Sequence, residues 1–270
     1  MAKQDLDALR RKYQERQEEI DKKKNGGGSG NTDFLKNFMQ LKEGDNHVRF
    51  LPGVDDKLFY AETFIHQVKV GENAKNIHCL RVHGENCPLC ELYFALWKPE
   101  KGGGEHYREV ARSIKRRQRF YANIFDRDSK EVKILSYGEK LNDSLIGDLS
   151  NTDYEVVDPE TKEPDSFLNV HVGYDYVIKK KIVKGEGNQT FPSYDGSKPR
   201  PKPSPLATSE TEIKTILGKR HDIHGLVRKE NYDEIKQITE SIIATKAPTV
   251  TIFGRPASVV SDTESDEIQA

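Results

Sequence analysis

The sequence predicts an α+β protein that is mainly β, with a small barrel interrupted by insertions and helical additions at both ends. Apolar and polar residues alternate over several short, irregularly spaced segments, and helical periodicity lies between and after them. The chain has no regular strand–helix alternation of the kind that builds a parallel sheet. It is 34% hydrophobic and 32% charged, so we expect part of it to be solvated arm or tail.

The first 31 residues predict an arm and a linker. Residues 5–24 carry a narrow apolar stripe at helical spacing among alternating charges, and a Gly-Ser tract at residues 25–30 follows. The stripe is too thin to build a core by itself. We expect an amphipathic helix that associates with a neighbouring molecule, and a solvated arm is the alternative.

The folded body is predicted at residues 32–245. Its strands are expected at residues 48–51, 59–70, 120–125 and 132–137, and in two pieces of 167–183 on either side of Gly173. Its helices are expected at residues 141–149, 209–219 and 232–244. An acidic loop at 151–166 and a proline-rich irregular segment at 184–205 separate them.

A candidate metal site lies in a subdomain predicted at about residues 62–100, which holds all three cysteines of the chain, Cys79, Cys87 and Cys90. Three thiolates and one imidazole complete the tetrahedron of one structural Zn²⁺ and leave no position for a catalytic water. By spacing alone, His66 and His83 are equally suitable as the fourth ligand. His78 is less suitable, because adjacent strand residues point to opposite faces and His78 adjoins Cys79. Three ordinary reduced cysteines are the alternative.

Two clusters combine cations with aromatic residues. The first comprises Lys115, Arg116, Arg117, Arg119, Phe120 and Tyr121. The second comprises Lys179, Lys181, Phe191, Tyr194 and Lys198. Cations beside stacking rings are typical of a groove for a single nucleic-acid strand, although solvated charges and core aromatics are the common alternative. In a strand, Phe120 and Tyr121 face opposite ways, so one could stack on a base while the other packs inward.

Four pieces of the chain, in the same order, carry a family resemblance. They are Val48-Arg49-Phe50-Leu51-Pro52, the order His66, Cys79, Cys87-x-x-Cys90, the basic run entering Tyr121-Ala122-Asn123-Ile124, and Phe191-x-x-Tyr194-Asp195-x-Ser197-Lys198. They extend over about residues 45–200, and the closing helices fit less specifically to about residue 245. In these pieces the chain resembles the single-stranded DNA-binding, helix-destabilising proteins of the T-even bacteriophages and related tailed phages.

The resemblance implies an oligonucleotide-binding (OB-fold-like) barrel with an inserted zinc subdomain, the two forming a basic cleft for single-stranded DNA. It favours His66 over His83 as the fourth zinc ligand. It places six side chains along the cleft, namely Lys115, Arg116, Arg117, Phe120, Phe191 and Tyr194. The implied function is non-enzymatic and tolerant of sequence: coating exposed strands during phage DNA replication, recombination and repair, in the cytoplasm of the infected bacterium.

The two ends of the chain depart from the family pattern. In the family, a short basic motif in this arm makes DNA binding cooperative between neighbouring copies. The arm has no clear copy of that motif, and Lys22-Lys23-Lys24 is the candidate substitute. The tail, residues 246–270, is expected to recruit replication and recombination proteins, yet it has only four acids, Asp262, Glu264, Asp266 and Glu267.

Two other function classes fit less of the sequence. A zinc-containing nuclease or other nucleic-acid enzyme would need acidic residues near the basic run, where no paired carboxylates occur. A protein-interaction scaffold acting through the N-terminal helix would leave most of the chain without a role. We also expect a reducing, cytosolic setting without a membrane partner, because residues 1–5 have no signal-peptide character and no apolar run is long enough to cross a bilayer.

Overall fold

The structure, a computed structural model, describes residues 34–54, 57–70, 73–97, 104–185, 190–252 and 255–256. Its helices are α1 Pro88–Trp97, α2 Gly104–Ile114, α3 Glu139–Leu149, α4 Glu210–Gly218 and α5 Tyr232–Lys246. Its strands are β1 Gly44–Phe50, β2 Tyr60–Val70, β3 Asn73–His78, β4 Arg116–Asp126, β5 Glu131–Tyr137, β6 Val156–Val157, β7 Pro164–Asp165, β8 Tyr176–Lys184, β9 Thr190–Ser193, β10 Lys198–Pro199, β11 Thr251–Ile252 and β12 Arg255–Pro256. Helices combined with mostly antiparallel strands confirm the α+β class. The predicted arm helix and the acidic part of the tail lie outside the described residues.

One eight-stranded antiparallel sheet carries the fold. Its strands run in the order β10-β8-β1-β4-β2-β3, with β5 also beside β4 and β9 also beside β8. Strand β4 is central: residues 116–122 pair with β2, and residues 120–126 pair with β5 on the other edge. The first four residues of β4 therefore precede the β5 pairing and have a free edge among the described strands. The whole basic run from Arg116 lies on this strand, which begins four residues earlier than the sequence predicts.

Two main hydrophobic clusters lie in the molecule. One is enclosed by the sheet and α3, and includes Val48, Phe50, Phe120 and Tyr176. The other surrounds the three cysteines and joins α1, α2 and the tip of β2–β3 to the closing helix α5. Because Ile235, on α5, belongs to this second cluster, the metal-side layer also includes residues far along the chain from the cysteines.

Helices α4 and α5 begin close to where their sequences predict, because each has a side-chain cap. The Ser209 hydroxyl accepts a hydrogen bond from the amide of Glu212, and the Asn231 side chain accepts one from the amide of Asp233. Such caps satisfy amides that have no partner within the first helical turn. In the described residues, the structure contains no helix with the length and apolar character needed to span a bilayer.

The predicted strand piece before Gly173 is wrong. Residues 167–172 form a compact turn in which the Asn169 side chain accepts hydrogen bonds from the amides at positions 171 and 172. Gly173 closes the turn, since a Cβ atom there would lie 2.2 Å from the Phe167 carbonyl oxygen. The buried Arg49 donates to the Asn169 carbonyl oxygen at 2.6 Å and pairs with Asp175 at 3.4 Å. The alternating apolar residues thus belong to a turn fixed by Arg49, not to a strand.

Candidate nucleic-acid interface and metal centre

Four buried side chains from separate elements form a potential metal centre: His66 on β2, Cys79 after β3, Cys87 before α1, and Cys90 in its first turn. Their ligand atoms all lie within 4.8 Å of one another. His66 Nε2 is 3.5 Å from the Sγ atoms of Cys87 and Cys90, and the Cys79 and Cys90 Sγ atoms are also 3.5 Å apart. A tetrahedron with Zn–S bonds of about 2.3 Å and a Zn–N bond of about 2.0 Å has edges of about 3.5–3.8 Å. The cluster therefore has the size and donor set of a closed zinc site.

The orientation of His66 suits a metal ligand. Its Nδ1 atom is 2.7 Å from the Ile114 carbonyl oxygen. A carbonyl oxygen can only accept, so Nδ1–H donates to it and Nε2 faces the thiols, where it can bind a metal once it has lost its proton. His83 lies outside the cluster: it is exposed, with Nε2 3.3 Å from the Arg228 carbonyl oxygen.

The electrostatics of the cluster also favour a bound cation. Burial by itself would lower the pKa of His66, but hydrogen bonds with Cys79, Cys87 and the Ile114 carbonyl raise it to about 9. Contacts with Cys79 and Cys90 lower the pKa of Cys87, whereas contacts with Cys79 and Cys87 raise the pKa of Cys90. Three adjacent thiolates need compensating positive charge, which a divalent metal supplies as it displaces their protons.

A cleft of about 790 Å³ lies against the metal centre. Its lining comprises Phe64, His66, Cys90, Tyr93, Phe94, Lys115, Arg116, Arg117, Gln118, Arg119, Gly138, Glu139, Lys140, Leu141, Pro192 and Tyr194. Five of these side chains are cationic and one, Glu139, is a carboxylate. The cleft therefore joins the metal-side layer, the free edge of β4, the start of α3 and the β8–β9 hairpin in one positively charged surface.

The metal centre and the basic strand are directly connected. His66 and Arg116 are opposite one another in the β2–β4 ladder, and the carbonyl that orients His66 belongs to Ile114, two residues before Arg116. The Arg116 guanidinium lies over the Phe64 ring, 4.6 Å from its centre. Movement of His66 on loss of metal would therefore displace the beginning of the basic strand.

The structure brings together five of the predicted contact residues, Lys115, Arg116, Arg117, Arg119 and Tyr194. Lys115, Arg116 and Arg117 are exposed, and Arg119 is half-buried. Burial raises the pKa of Tyr194, and the nearby Arg119 opposes that shift. These side chains combine phosphate-binding cations with a ring in one groove.

Phe120 is not a surface contact, which corrects the sequence-based assignment. Its side chain is 2% exposed and packs between Tyr60 and Tyr137, whose ring centres each lie 5.6 Å away. Tyr121 points to the other face of β4. It is half-buried against Phe38, at 6.3 Å, and lies outside the residues that line the cleft. Alternation along β4 therefore buries both rings in hydrophobic clusters, on opposite faces of the sheet.

Substitution of Phe120 by alanine is expected to destabilise the protein rather than to weaken DNA binding selectively. Removing a buried phenylalanine costs about 3–5 kcal/mol of unfolding free energy. Denaturant unfolding measures this loss. Phe191→Ala is the control, because Phe191 is 46% exposed and its removal should change stability by less than about 0.5 kcal/mol. Equal stability of the Phe120→Ala and Phe191→Ala proteins would contradict the packing.

The remaining predicted contacts do not line the cleft and lie on the outer face of the β8–β9–β10 strands. In β8, Tyr176 and Ile178 are buried in the core, so the alternate residues Lys179 and Lys181 point away from it. Phe191 and Lys198 share this outer face, because they are register partners of Val183 and Val177. Lys179 forms an ion pair with Asp45 at 3.5 Å. In contrast, Pro192 and Tyr194 are on the cleft side.

Sequence reasoning missed three aromatic residues that line the cleft, Phe64, Tyr93 and Phe94. Tyr93 and Phe94 follow the metal ligand Cys90 by three and four residues, so the three side chains lie along one stripe of α1. The separation of three and four residues from Cys90 was the sequence signal that could have placed these two rings beside the metal site.

A buried cluster of potential metal ligands beside a basic, aromatic-lined cleft on an antiparallel sheet is the arrangement of a nucleic-acid-binding protein with a potential metal site. The chain belongs to the family described as "gp32 DNA binding protein like", which it matches over residues 42–245. This membership confirms the predicted resemblance to the T-even single-stranded DNA-binding proteins. No individual curated protein matches the chain significantly.

Proposed function

We propose that this protein binds single-stranded DNA in the cleft, without catalysis and with little preference for sequence. The observation that carries the proposal is the combination of five cations with four aromatic rings in one groove of about 790 Å³. Cations supply affinity by releasing counterions from phosphates, and rings stack on unpaired bases of any type. A paired duplex hides those base faces, so it would use the cations alone.

The finer architecture is part of the same proposal. The body at residues 32–245 is an OB-fold-like barrel, and the inserted subdomain at about residues 62–100 holds one structural Zn²⁺ through His66, Cys79, Cys87 and Cys90. The ligand distances and the orientation of His66 support zinc. When bound, the metal would join β2 to α1 and so hold one wall of the cleft in place.

The lining of the cleft favours binding over catalysis. Among the described residues that line it, Glu139 is the one carboxylate. Metal-dependent nucleases need several acidic ligands around the scissile phosphate. The four cysteine and histidine ligands already complete one tetrahedron, which leaves no position for an attacking water.

Titration with matched oligonucleotides tests the function. Fluorescence anisotropy should show that an oligothymidylate of about 12 nucleotides binds more tightly than a duplex of the same length. Its log–log salt slope should approach about −3.5 if all five cations of the cleft contact phosphates. Equal affinity for duplex and single strand, or an affinity independent of salt, would contradict the proposal.

The biological setting is proposed from the family. The protein would coat exposed strands during phage DNA replication, recombination and repair, in the cytoplasm of the infected bacterium. The arm, residues 1–31, would contact neighbouring copies, and the tail, residues 246–270, would contact replication and recombination proteins. Deleting residues 1–31 should then reduce binding to long DNA while leaving binding to a short oligonucleotide intact.

A further inference from the structure

Helix α1 carries three aromatic residues beside its buried side, of which Phe94 and Trp97 are exposed and Tyr93 is half-buried against the metal-side cluster. Leu89, Leu92 and Leu96 form the buried side of this helix. On the opposite side, Phe94 and Trp97 are each 46% exposed. Burial of the helix thus depends mainly on the leucines, and among the described residues Phe94 and Trp97 belong to none of the hydrophobic clusters.

The rings are arranged as a connected surface at the cleft. The Tyr93 and Trp97 rings are stacked, with centres 5.8 Å apart and planes 17° apart. The Tyr93 and Phe94 rings meet edge to face at 5.3 Å. The Arg81 guanidinium lies over the Phe94 ring at 5.1 Å from its centre. Tyr93 and Phe94 both line the cleft, so this surface is accessible to a ligand in the groove.

Cations and rings occupy different elements of the same cleft. Four of the five cations belong to the Lys115–Arg119 segment, while Tyr93 and Phe94 belong to α1. In a single strand, phosphates and bases project from different sides of the sugar chain. A strand with its phosphates along β4 therefore presents its bases to another wall of the cleft.

We propose that Tyr93 and Phe94 form a base-stacking platform, so that bound DNA directs its bases toward α1 and its phosphates toward β4. This inference rests on the proposed function and adds the orientation of the strand. It also relates the potential metal centre to DNA binding. Cys87 and Cys90 anchor the first turn of the helix whose next turn carries the platform.

A comparison of normal and abasic oligonucleotides tests this orientation, because an abasic strand keeps the phosphates and lacks the stacking partners. Phe94→Leu should weaken binding of an oligothymidylate about five- to a hundredfold, which corresponds to the loss of one stacked base. Binding of the abasic strand of equal length should be unchanged. Phe94→Tyr keeps a ring and should retain affinity for both strands.

The matched control is Phe191→Leu, which removes an equally exposed ring from the outer face and should alter neither affinity. Trp97 is the single tryptophan of the chain, so its fluorescence reports on the platform. It should fall on addition of oligothymidylate and not of the abasic strand. Equal weakening of both strands by Phe94→Leu, no weakening of either, or equal quenching by both strands would overturn the proposal. Failure of the unsubstituted protein to bind oligothymidylate would instead overturn the proposed function.

Discussion

The Arg116→Glu/Arg117→Glu protein is expected to bind oligothymidylate at least a hundredfold more weakly than the unsubstituted protein at low salt. Both side chains are exposed on the free edge of β4 and line the cleft. A charge-assisted hydrogen bond to phosphate contributes about 1.5–3 kcal/mol, and each reversed charge adds repulsion. The log–log salt slope should become shallower by about 1.4, since two phosphate contacts are lost. Anisotropy titrations over a salt series measure both quantities.

The control for this prediction reverses the same charge on the other side of the sheet. Lys181→Glu/Lys198→Glu changes two exposed cations of the outer face and alters the net charge equally. We expect it to reduce DNA affinity only through the long-range electrostatic potential of the protein, by a few-fold at low salt. Equal losses in the two double variants would show that net charge, rather than contact in the cleft, determines binding.

Loss of the metal is expected to abolish the ordered metal-side layer and to weaken DNA binding at least tenfold. The four ligands join β2, the segment after β3 and α1, and the cysteines form the centre of the second hydrophobic cluster. Metal binding to sites of this kind contributes about 10–16 kcal/mol in zinc-finger peptides, so the apoprotein should lose folded structure here. Loss of order at His66 should displace the start of the basic strand, because His66 is paired with Arg116 in the sheet and contacts the Ile114 carbonyl.

Two histidine variants make the metal prediction specific. His66→Ala should lose the metal, melt at lower temperature and bind oligothymidylate as weakly as the chelated protein. His83→Ala should retain metal, stability and affinity, because His83 is exposed and outside the cluster. Metal analysis, thermal melting and anisotropy provide the three measurements. Loss of metal from His83→Ala, or unchanged DNA affinity of the metal-free protein, would contradict the assignment.

Local patterns predicted the elements well where burial has a simple period. The β4–β5 hairpin follows from two apolar runs on either side of a polar turn at residues 126–129, and helices α4 and α5 follow from helical spacing together with caps such as Ser209. The strand predicted at residues 167–172 was wrong, because alternation of apolar and polar residues cannot distinguish a strand from a turn that a distant side chain holds in place. Arg49, more than a hundred residues away, fixes that turn.

The sequence predicted which kinds of residue form the candidate site, but only some of the particular residues that line it. The cysteines indicated a metal site and the basic run indicated phosphate binding by their chemistry alone. The choice between His66 and His83 needed the family resemblance, because their spacing from the cysteines suits both. The outward orientation of Lys181 and Phe191 depends on strand register, which no local pattern specifies. The family resemblance placed Phe120 along the cleft, whereas its neighbours across the sheet bury it.

Photo-cross-linking tests most directly whether a single strand lies in the cleft with its bases against α1. An oligothymidylate carrying photoreactive bases would be bound, irradiated and located by mass spectrometry of the peptides. We predict cross-links at Tyr93, Phe94 and Tyr194. Cross-links concentrated on the outer face, at Phe191 and its neighbours, would show that the strand runs elsewhere and would contradict the claim.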